Sequence, residues 1–330
     1  ALYGARGSNG VVIITTKKGK QGQSEVNLNV STAWSTIANQ MDVFSPGEFR
    51  QQVPAAGGTL EDFGANTNWQ DELSQTGLSQ DINLSMRGAT DKFGYYASIG
   101  YQDQEGILKN SSLKRYAAKL NMNQTAFNSK LKVDYNITAS HTNNLRPDNT
   151  AMVTDMLQLN PTIPVYTNGT PTPLDNMLNP MVRYDLYSDE AVNNRILAGI
   201  SPSLEIIKGL TYKLNLGFDY SATSRDVQWI PYALLEGYEN GSLRTDNIQN
   251  TNQLIENTLA YQLESGKHNA TLLAGQSYQS FYYFGRSIST QGYADNGIEP
   301  KYQDFVATAS LPTTISSAAE KNELQSFFGR

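Results

Sequence analysis

The sequence has no cysteine, only two histidines, and no uninterrupted apolar run long enough to cross a bilayer as a helix. Without cysteine, disulfide frameworks, thiolate zinc sites and thiol catalysis are excluded together. A transmembrane helix needs about 20 predominantly apolar residues, so any membrane crossing has to be made by strands, whose hydropathy signal is weak segment by segment. His141 and His268 sit at separate strand ends, and no carboxylate spacing beside them selects a chemistry, so no catalytic residue, cofactor or metal is assigned. Asp185, Asp189 and Glu190 crowd one long loop but lack the regular oxygen-ligand pattern of a calcium loop. Charge is sparse: Asp, Glu, Lys and Arg make up 17% of the chain, against roughly 25% in soluble domains. The net charge is −6, and the one basic cluster, Lys17, Lys18 and Lys20, has no aromatic interleaving. Both features argue against a nucleic-acid partner.

What the sequence does have is alternation with period two. From Leu210 to Ser221, Leu210, Tyr212, Leu214, Leu216, Phe218 and Tyr220 take one phase, and Thr211, Lys213, Asn215, Gly217, Asp219 and Ser221 take the other. Successive side chains of a strand point to opposite faces, so this segment predicts a strand with one apolar and one polar side. Leu131 to Ser140, Phe93 to Gln102 and Tyr116 to Asn123 repeat the pattern, with shorter versions at Val26–Val30 and Ile82–Met86. The reading predicts nine strands and the start of a tenth, near 25–34, 80–89, 93–103, 113–124, 129–141, 194–207, 209–224, 248–264, 267–283 and from 323 onward. Several run past ten residues, whereas soluble strands peak near five or six and a membrane-spanning strand needs about 9–11.

The connections alternate as well. Short ones at 89–92, 125–129, 208–209 and 265–267 are separated by long ones at 35–79, 104–112, 142–193, 225–247 and 284–322. In an up-and-down meander this puts the short turns at one end and the long loops at the other, the asymmetry of bacterial outer-membrane barrels. Greek-key sandwiches mix loop lengths at both ends. The fold class expected is therefore all-β: an antiparallel up-and-down transmembrane β-barrel, incomplete and open. The first residues lack the apolar core of a signal peptide and the last, Ser326–Arg330, read as a strand just opening, so both ends are expected to lie inside a longer chain.

The opening segment, Tyr3-Gly4-Ala5-Arg6-Gly7-Ser8-Asn9-Gly10 followed by Val11–Ile14 and Thr15-Thr16-Lys17-Lys18-Gly19, closely resembles the plug end of SusC/RagA-family TonB-linked outer-membrane proteins. The segments Trp69-Gln70-Asp71-Glu72, Gln80–Ser85, Gly100–Ile107, Asn160–Tyr166 and Ser326–Arg330 resemble later landmarks of that family and come in its order. Gly4, Gly7 and Gly10 permit positive φ and close backbone approach, and Arg6 and Asn9 belong to the same motif. Val11–Ile14 is a continuous apolar run, as expected of a strand buried on both faces. These glycines precede the strand and open no helix, so they do not form a dinucleotide cradle.

The resemblance implies two parts: residues 1–22 as the C-terminal end of a plug domain with its hinge, and 23–330 as the N-terminal portion of the barrel. It implies a TonB-dependent transporter in the outer membrane of a Gram-negative bacterium, importing glycans or oligopeptides. The partners it implies are a SusD-like surface lipoprotein, the TonB–ExbB–ExbD complex acting through an N-terminal TonB box, and membrane lipid. A non-transporting receptor or adhesin barrel, or a secreted glycan-binding β protein, are the alternative readings. Trp69, Tyr166, Tyr187, Trp229 and Tyr232 lie in or beside long loops, where aromatic faces can stack on sugar rings or peptide side chains. They are the candidate substrate contacts, set against packing within the loops and the interfacial aromatic belt that barrels possess.

Overall fold

The computed structural model describes residues 24–174, 178–232, 239–265, 268–304 and 314–330. The glycine motif with Gly4, Arg6, Gly7, Asn9 and Gly10, and the hinge after it, lie outside the described residues.

One sheet of ten strands makes up most of the chain: β1 (Glu25–Ser35), β2 (Gly77–Ala89), β3 (Phe93–Glu105), β4 (Ser112–Ala126), β5 (Leu131–Arg146), β6 (Tyr187–Ile207), β7 (Leu210–Trp229), β8 (Gly241–Ser265), β9 (His268–Tyr293) and β10 (Thr314–Gly329). They are ordered in space as in sequence and every neighbouring pair is antiparallel. The sheet is an open meander with β1 and β10 at its edges.

The lateral register climbs across the sheet. Glu25, at the very start of β1, shares a row with Arg87, Tyr96, Asn121, Asn136, Gly199, Gly217, Leu254 and Gln279, and Gln279 stands well up β9. A steady stagger of this kind is the shear that tilts strands in a barrel wall. The short turns lie together at the low end. Thr125 N–H donates to Lys92 O, Glu205 N–H to Lys130 O and Gln262 N–H to Gly209 O, each about 2.8 Å. Gly209 closes its turn at φ +83°, and a Cβ there would meet the carbonyl oxygen of Gln262 at 2.6 Å, so both conformation and space demand glycine.

Ladder partners share a face, so the phase can be followed across the wall. One face carries the row Leu28, Leu84, Ile99, Ala118, Ala139, Ile196 and Tyr220, and the row Val26, Met86, Ala97, Leu120, Ile137, Ala198 and Phe218. The opposite face carries Asn83, Ser140, Arg195, Ser221 and Asn250, and Ser85, Lys119, Thr138, Asp219 and Asn252. Leu28, Ile99, Ile137, Ile196 and Leu216 are exposed, because a single-layer wall offers its apolar side nothing within the chain to pack against. On β3, β4, β7 and β9 this apolar stretch starts at the short-turn end and gives way to mainly polar residues beyond Tyr101, Tyr116, Tyr220 and Phe284. Near the low end, Phe93, Tyr95, Phe127, Tyr212 and Tyr261 border it. An apolar band between two aromatic girdles is the outer surface of a membrane barrel.

The strands run further than the alternation predicts. β6 begins at Tyr187 rather than 194, β7 reaches Trp229, β8 begins at Gly241 and β9 reaches Tyr293. Above the band both faces are polar, so the period-two signal vanishes while the backbone ladder continues unbroken. Tyr187 and Trp229, read as residues in or beside loops, are the first and last residues of paired strands. Asp189 and Glu190 lie in β6 and not in a loop.

The buried hydrophobic core lies in the long loops. Residues 36–76 and 147–186 contribute helices α1 (Pro46–Ala55), α2 (Trp69–Leu73), α3 (Asn149–Gln158) and α4 (Pro180–Leu186), with a small ribbon pairing Tyr166–Thr167 against Thr170–Pro171. Leu73, Met152, Met156 and Met181 form one buried cluster, and Trp69, Leu159 and Ile163 a second. Backbone bonds from Ala65 to Thr162 O and from Thr67 to Pro161 O tie the two loops together.

Helix α1 is the exception in this layer, burying no residue. Its start is held by Pro46 in the first turn and by a capping box: the Ser45 hydroxyl accepts from the Glu48 N–H, and the Glu48 carboxylate accepts from the Ser45 N–H. With no packing to compensate, Ser45→Ala is expected to cost about 1 kcal/mol of local stability. It should show as faster amide exchange confined to residues 46–55; unchanged exchange there would refute the role given to the cap.

Candidate substrate vestibule and similar proteins

The polar face of the wall is a continuous side-chain network. Arg195 grips Asp219 through Nε and Nη2 at 2.8 and 2.7 Å. The Ser201 hydroxyl donates to Asn215 Oδ1 at 2.7 Å, and Asn215 Nδ2 donates to Glu256 Oε1 at 2.8 Å. Nearer the loops, Asp189 accepts both forks of Arg225, at 2.7 and 2.6 Å, with Arg146 4.0 Å away. Arg225 also reaches Asp246 at 4.0 Å, and Arg244 Nε donates to Asp246 at 3.0 Å. Bidentate guanidinium–carboxylate pairs fix geometry as well as charge. The Asp189 side chain keeps only 5% of its surface, whereas Arg244 keeps 56%, so this ladder offers arginine N–H groups, not carboxylates, to the space it faces.

Above the ladder, Tyr187 and Trp229 pair directly across β6 and β7, with ring centroids 5.1 Å apart. The guanidinium of Arg183 stands 5.7 Å over the Trp229 ring, within the reach of a cation–π contact. Trp229 holds the phase of Asp219 and Arg225, so its indole is on the polar face. Tyr232 follows just beyond the strand and is half-buried. Tyr166 lies in the loop ribbon and is 50% exposed. Trp69 is 3% exposed, packs on Leu159 and Ile163, and donates its indole N–H to Asn160 O at 3.2 Å. Of the five candidate aromatics, the structure brings Tyr187 and Trp229 together, places Tyr166 separately on the surface of the loop layer, and sets Trp69 in its core.

The arginine ladder is what sequence reading misses. Asp189 stands out there only as a loop carboxylate. Carrying the phase of the 210–221 alternation eight residues further would have put Arg225 and Trp229 on the same side as Asp219. Among the described residues, no group of three or more His, Asp or Glu side chains converges to hold a metal ion.

Where the loop layer meets the wall, Asp155 of α3 and Arg183 of α4 form an ion pair at 3.5 Å, with Asp148 3.7 Å from the same guanidinium. Burial pushes the Asp155 carboxyl above its ordinary range; Arg183 opposes the shift without cancelling it. A raised folded-state pKa means that the folded layer holds a proton the unfolded segment has lost. Its contribution is fully present below the ordinary carboxylate pKa and is lost as pH rises through the raised value. Protection factors for amides of 149–158 are therefore expected to fall as pH climbs from the ordinary carboxylate range, and Asp155→Asn should abolish that fall. A pH-independent profile in the unsubstituted protein would refute this.

The chain as a whole is similar over its full length to two TonB-dependent receptors. It is 29% identical to TonB-dependent receptor P3 of Formosa agariphila and 28% identical to TonB-dependent receptor SusC of Bacteroides thetaiotaomicron, in each case across 100% of this chain. The chain is thus similar, end to end, to SusC/RagA-type TonB-dependent receptors. It spans about a third of the length of these curated relatives, 34% and 35%. The fold agrees: the RagAB peptide transporter superposes with a TM-score of 0.85 over 99% of this chain and 42% of that one, at 22% identity. No family model matches the chain. In this chain two residues that pack the loop layer, Trp69 and Ile163, come from the segments 69–72 and 160–166. Part of the sequence resemblance is thus carried by loop architecture.

Proposed function

We propose that the chain is the first part of the barrel wall of a TonB-dependent transporter in the outer membrane of a Gram-negative bacterium, with residues 1–22 completing a plug and 23–330 building the wall. The cargo is a glycan or oligopeptide, taken in beneath a SusD-like lipoprotein lid and released inward by the TonB–ExbB–ExbD complex. The observation that carries this reading is the two-sidedness of the wall. Its exposed apolar face, bounded by tyrosines, suits lipid, and its opposite face is a hydrogen-bonded network that suits a wet lumen and leads up to Tyr187, Trp229 and the exposed arginines. Tyr166, Tyr187, Trp229 and Tyr232 are the proposed cargo contacts, and Trp69 holds the loops that shape the entrance. A peptide cargo gains support from the likeness to RagAB, a peptide transporter; a glycan is the other cargo class that the family resemblance implies.

The test is growth of a strain lacking the whole gene on a panel of oligosaccharides and oligopeptides as sole carbon or nitrogen source, beside the corresponding monomers. Loss of growth on one class of oligomer, with monomer growth intact, is expected. Unimpaired growth and uptake across the panel, with the protein present in the outer membrane, would instead favour a non-transporting receptor.

A further inference from the structure

The ion-pair ladder at the loop end of the wall finishes in a cation on both sides. Across β5 to β8 its side chains alternate in sign: Arg146, Asp189, Arg225, Asp246, Arg244. Three guanidiniums face two carboxylates, which leaves a surplus of one positive charge. A wall braced only by cross-strand pairs closes them one to one, as Arg195 and Asp219 do lower on the same face. The carboxylates are also the shielded members: the Asp246 side chain keeps 9% of its surface and Arg146 keeps 40%. The acids of the adjoining loop layer, Asp148 and Asp155, face Arg183 at 3.7 and 3.5 Å.

The free donors belong to one row. Arg146, Asp189, Val227 and Arg244 are lateral neighbours on β5, β6, β7 and β8. Strands lie about 4.8 Å apart, so the two outer arginines are rooted about 14 Å from each other, with Val227 between them. The Asp189 oxygen 4.0 Å from Arg146 is too far to accept a hydrogen bond, and Arg146 makes none among the described residues. Arg244 spends only Nε, on Asp246, and both of its terminal nitrogens are unused among those residues. The next row toward the loops holds Tyr187 and Trp229, so the aromatic pair borders the same space.

We infer that this row is a carboxylate-binding subsite: the cargo presents a carboxylate to the free forks of Arg146 and Arg244, and the adjoining part of the oligomer lies against Val227 and Trp229. The inference rests on the transporter reading above, which makes the polar face a cargo path. A guanidinium fork matches the two oxygens of a carboxylate in one plane. The single surplus charge suits a monoanion; a phosphate monoester carries close to two charges at neutral pH and exceeds it. Carboxylates occur on oligopeptides, at the chain end and on acidic side chains, and on glycans built from uronic acids. The recognised chemistry is the same in both, and the probes below tell them apart.

The experiment uses the whole receptor, purified from outer membranes and examined by native mass spectrometry with an equimolar pool of probes. The pool holds N-acetyl pentapeptides containing one glutamate, as free acids and as full amides, and oligogalacturonides beside their methyl esters. The members of each pair differ in their carboxylates. In one of the pairs the acid is expected to be retained about tenfold over its uncharged counterpart, and that pair identifies the oligomer. The double substitution Arg146→Gln with Arg244→Gln should bring the acid down to the level of its counterpart. Arg286→Gln, which removes an equal charge from the outward face of β9, should leave the preference intact. In the unsubstituted receptor the preference should also shrink as salt is raised, because the exposed guanidiniums are screened. No preference for either acid, a preference indifferent to salt, or one that survives the double substitution would overturn the subsite while leaving the transporter reading intact. Unimpaired growth of the deletion strain on every cargo would overturn both.

Discussion

Leu216→Arg is expected to destabilise the membrane-inserted receptor by roughly 2–4 kcal/mol, the penalty for a cation at mid-bilayer depth on a barrel's lipid face. Leu216 is exposed in the outward band, flanked by Ile200 on β6 and Ile255 on β8. The neighbouring substitution, Asn215→Arg, puts the same charge on the polar face. There it gives up the bond to Glu256 Oε1, worth about 1 kcal/mol, and gains Glu256 as a counter-ion. Urea titrations of the full receptor in lipid vesicles should separate the two by at least about 1 kcal/mol at the low end of that range. Equal penalties would mean that the two faces had been assigned wrongly, and the transport reading would fall with them.

The second large effect lies in the arginine ladder. Arg225→Met strips Asp189 of its bidentate partner while the carboxylate stays buried, 5% exposed at the side chain. Breaking a buried pair from one side costs about 3–5 kcal/mol. Arg146, already 4.0 Å from Asp189, can move in and hold the loss near the low end. The loss should appear as faster amide exchange in the loop-side ends of β6 and β7, around Asp189 and Arg225, with the membrane band unaffected. Adding Asp189→Leu to Arg225→Met should recover most of the protection, since replacing both partners removes the stranded charge. If the double variant exchanges as fast as the single one, the pair is not what holds this end of the wall.

These two predictions sit on opposite sides of what a linear reading can reach. The Leu216/Asn215 contrast is legible in the alternation of 210–221 alone, because side-chain facing in a strand follows from period two and needs no tertiary information. The Asp189–Arg225 pair is not. It joins residues 36 positions apart through a register set by the Lys208–Gly209 turn, and it lies where both faces are polar and alternation carries no signal. The same limit placed the start of β6 seven residues late and counted Tyr187 as a loop residue. Trp69 went astray for another reason: an aromatic in a long loop looks available, and only the packing of residues 36–76 against 147–186 shows that it is core.

The sequence by itself determined the existence of the ten strands, which face of each is apolar, and the parity that sends short turns to one end and long loops to the other. Each of these is a local property, written in the spacing of neighbouring residues. Tertiary structure decided how far the strands run beyond the apolar band, the climbing register that turns a ribbon into a tilted wall, and the ladder of Arg146, Asp189, Arg225, Asp246 and Arg244. Those depend on which residues of separate strands stand side by side. That is fixed by the backbone ladder and by turn length, which no pattern along a single strand contains.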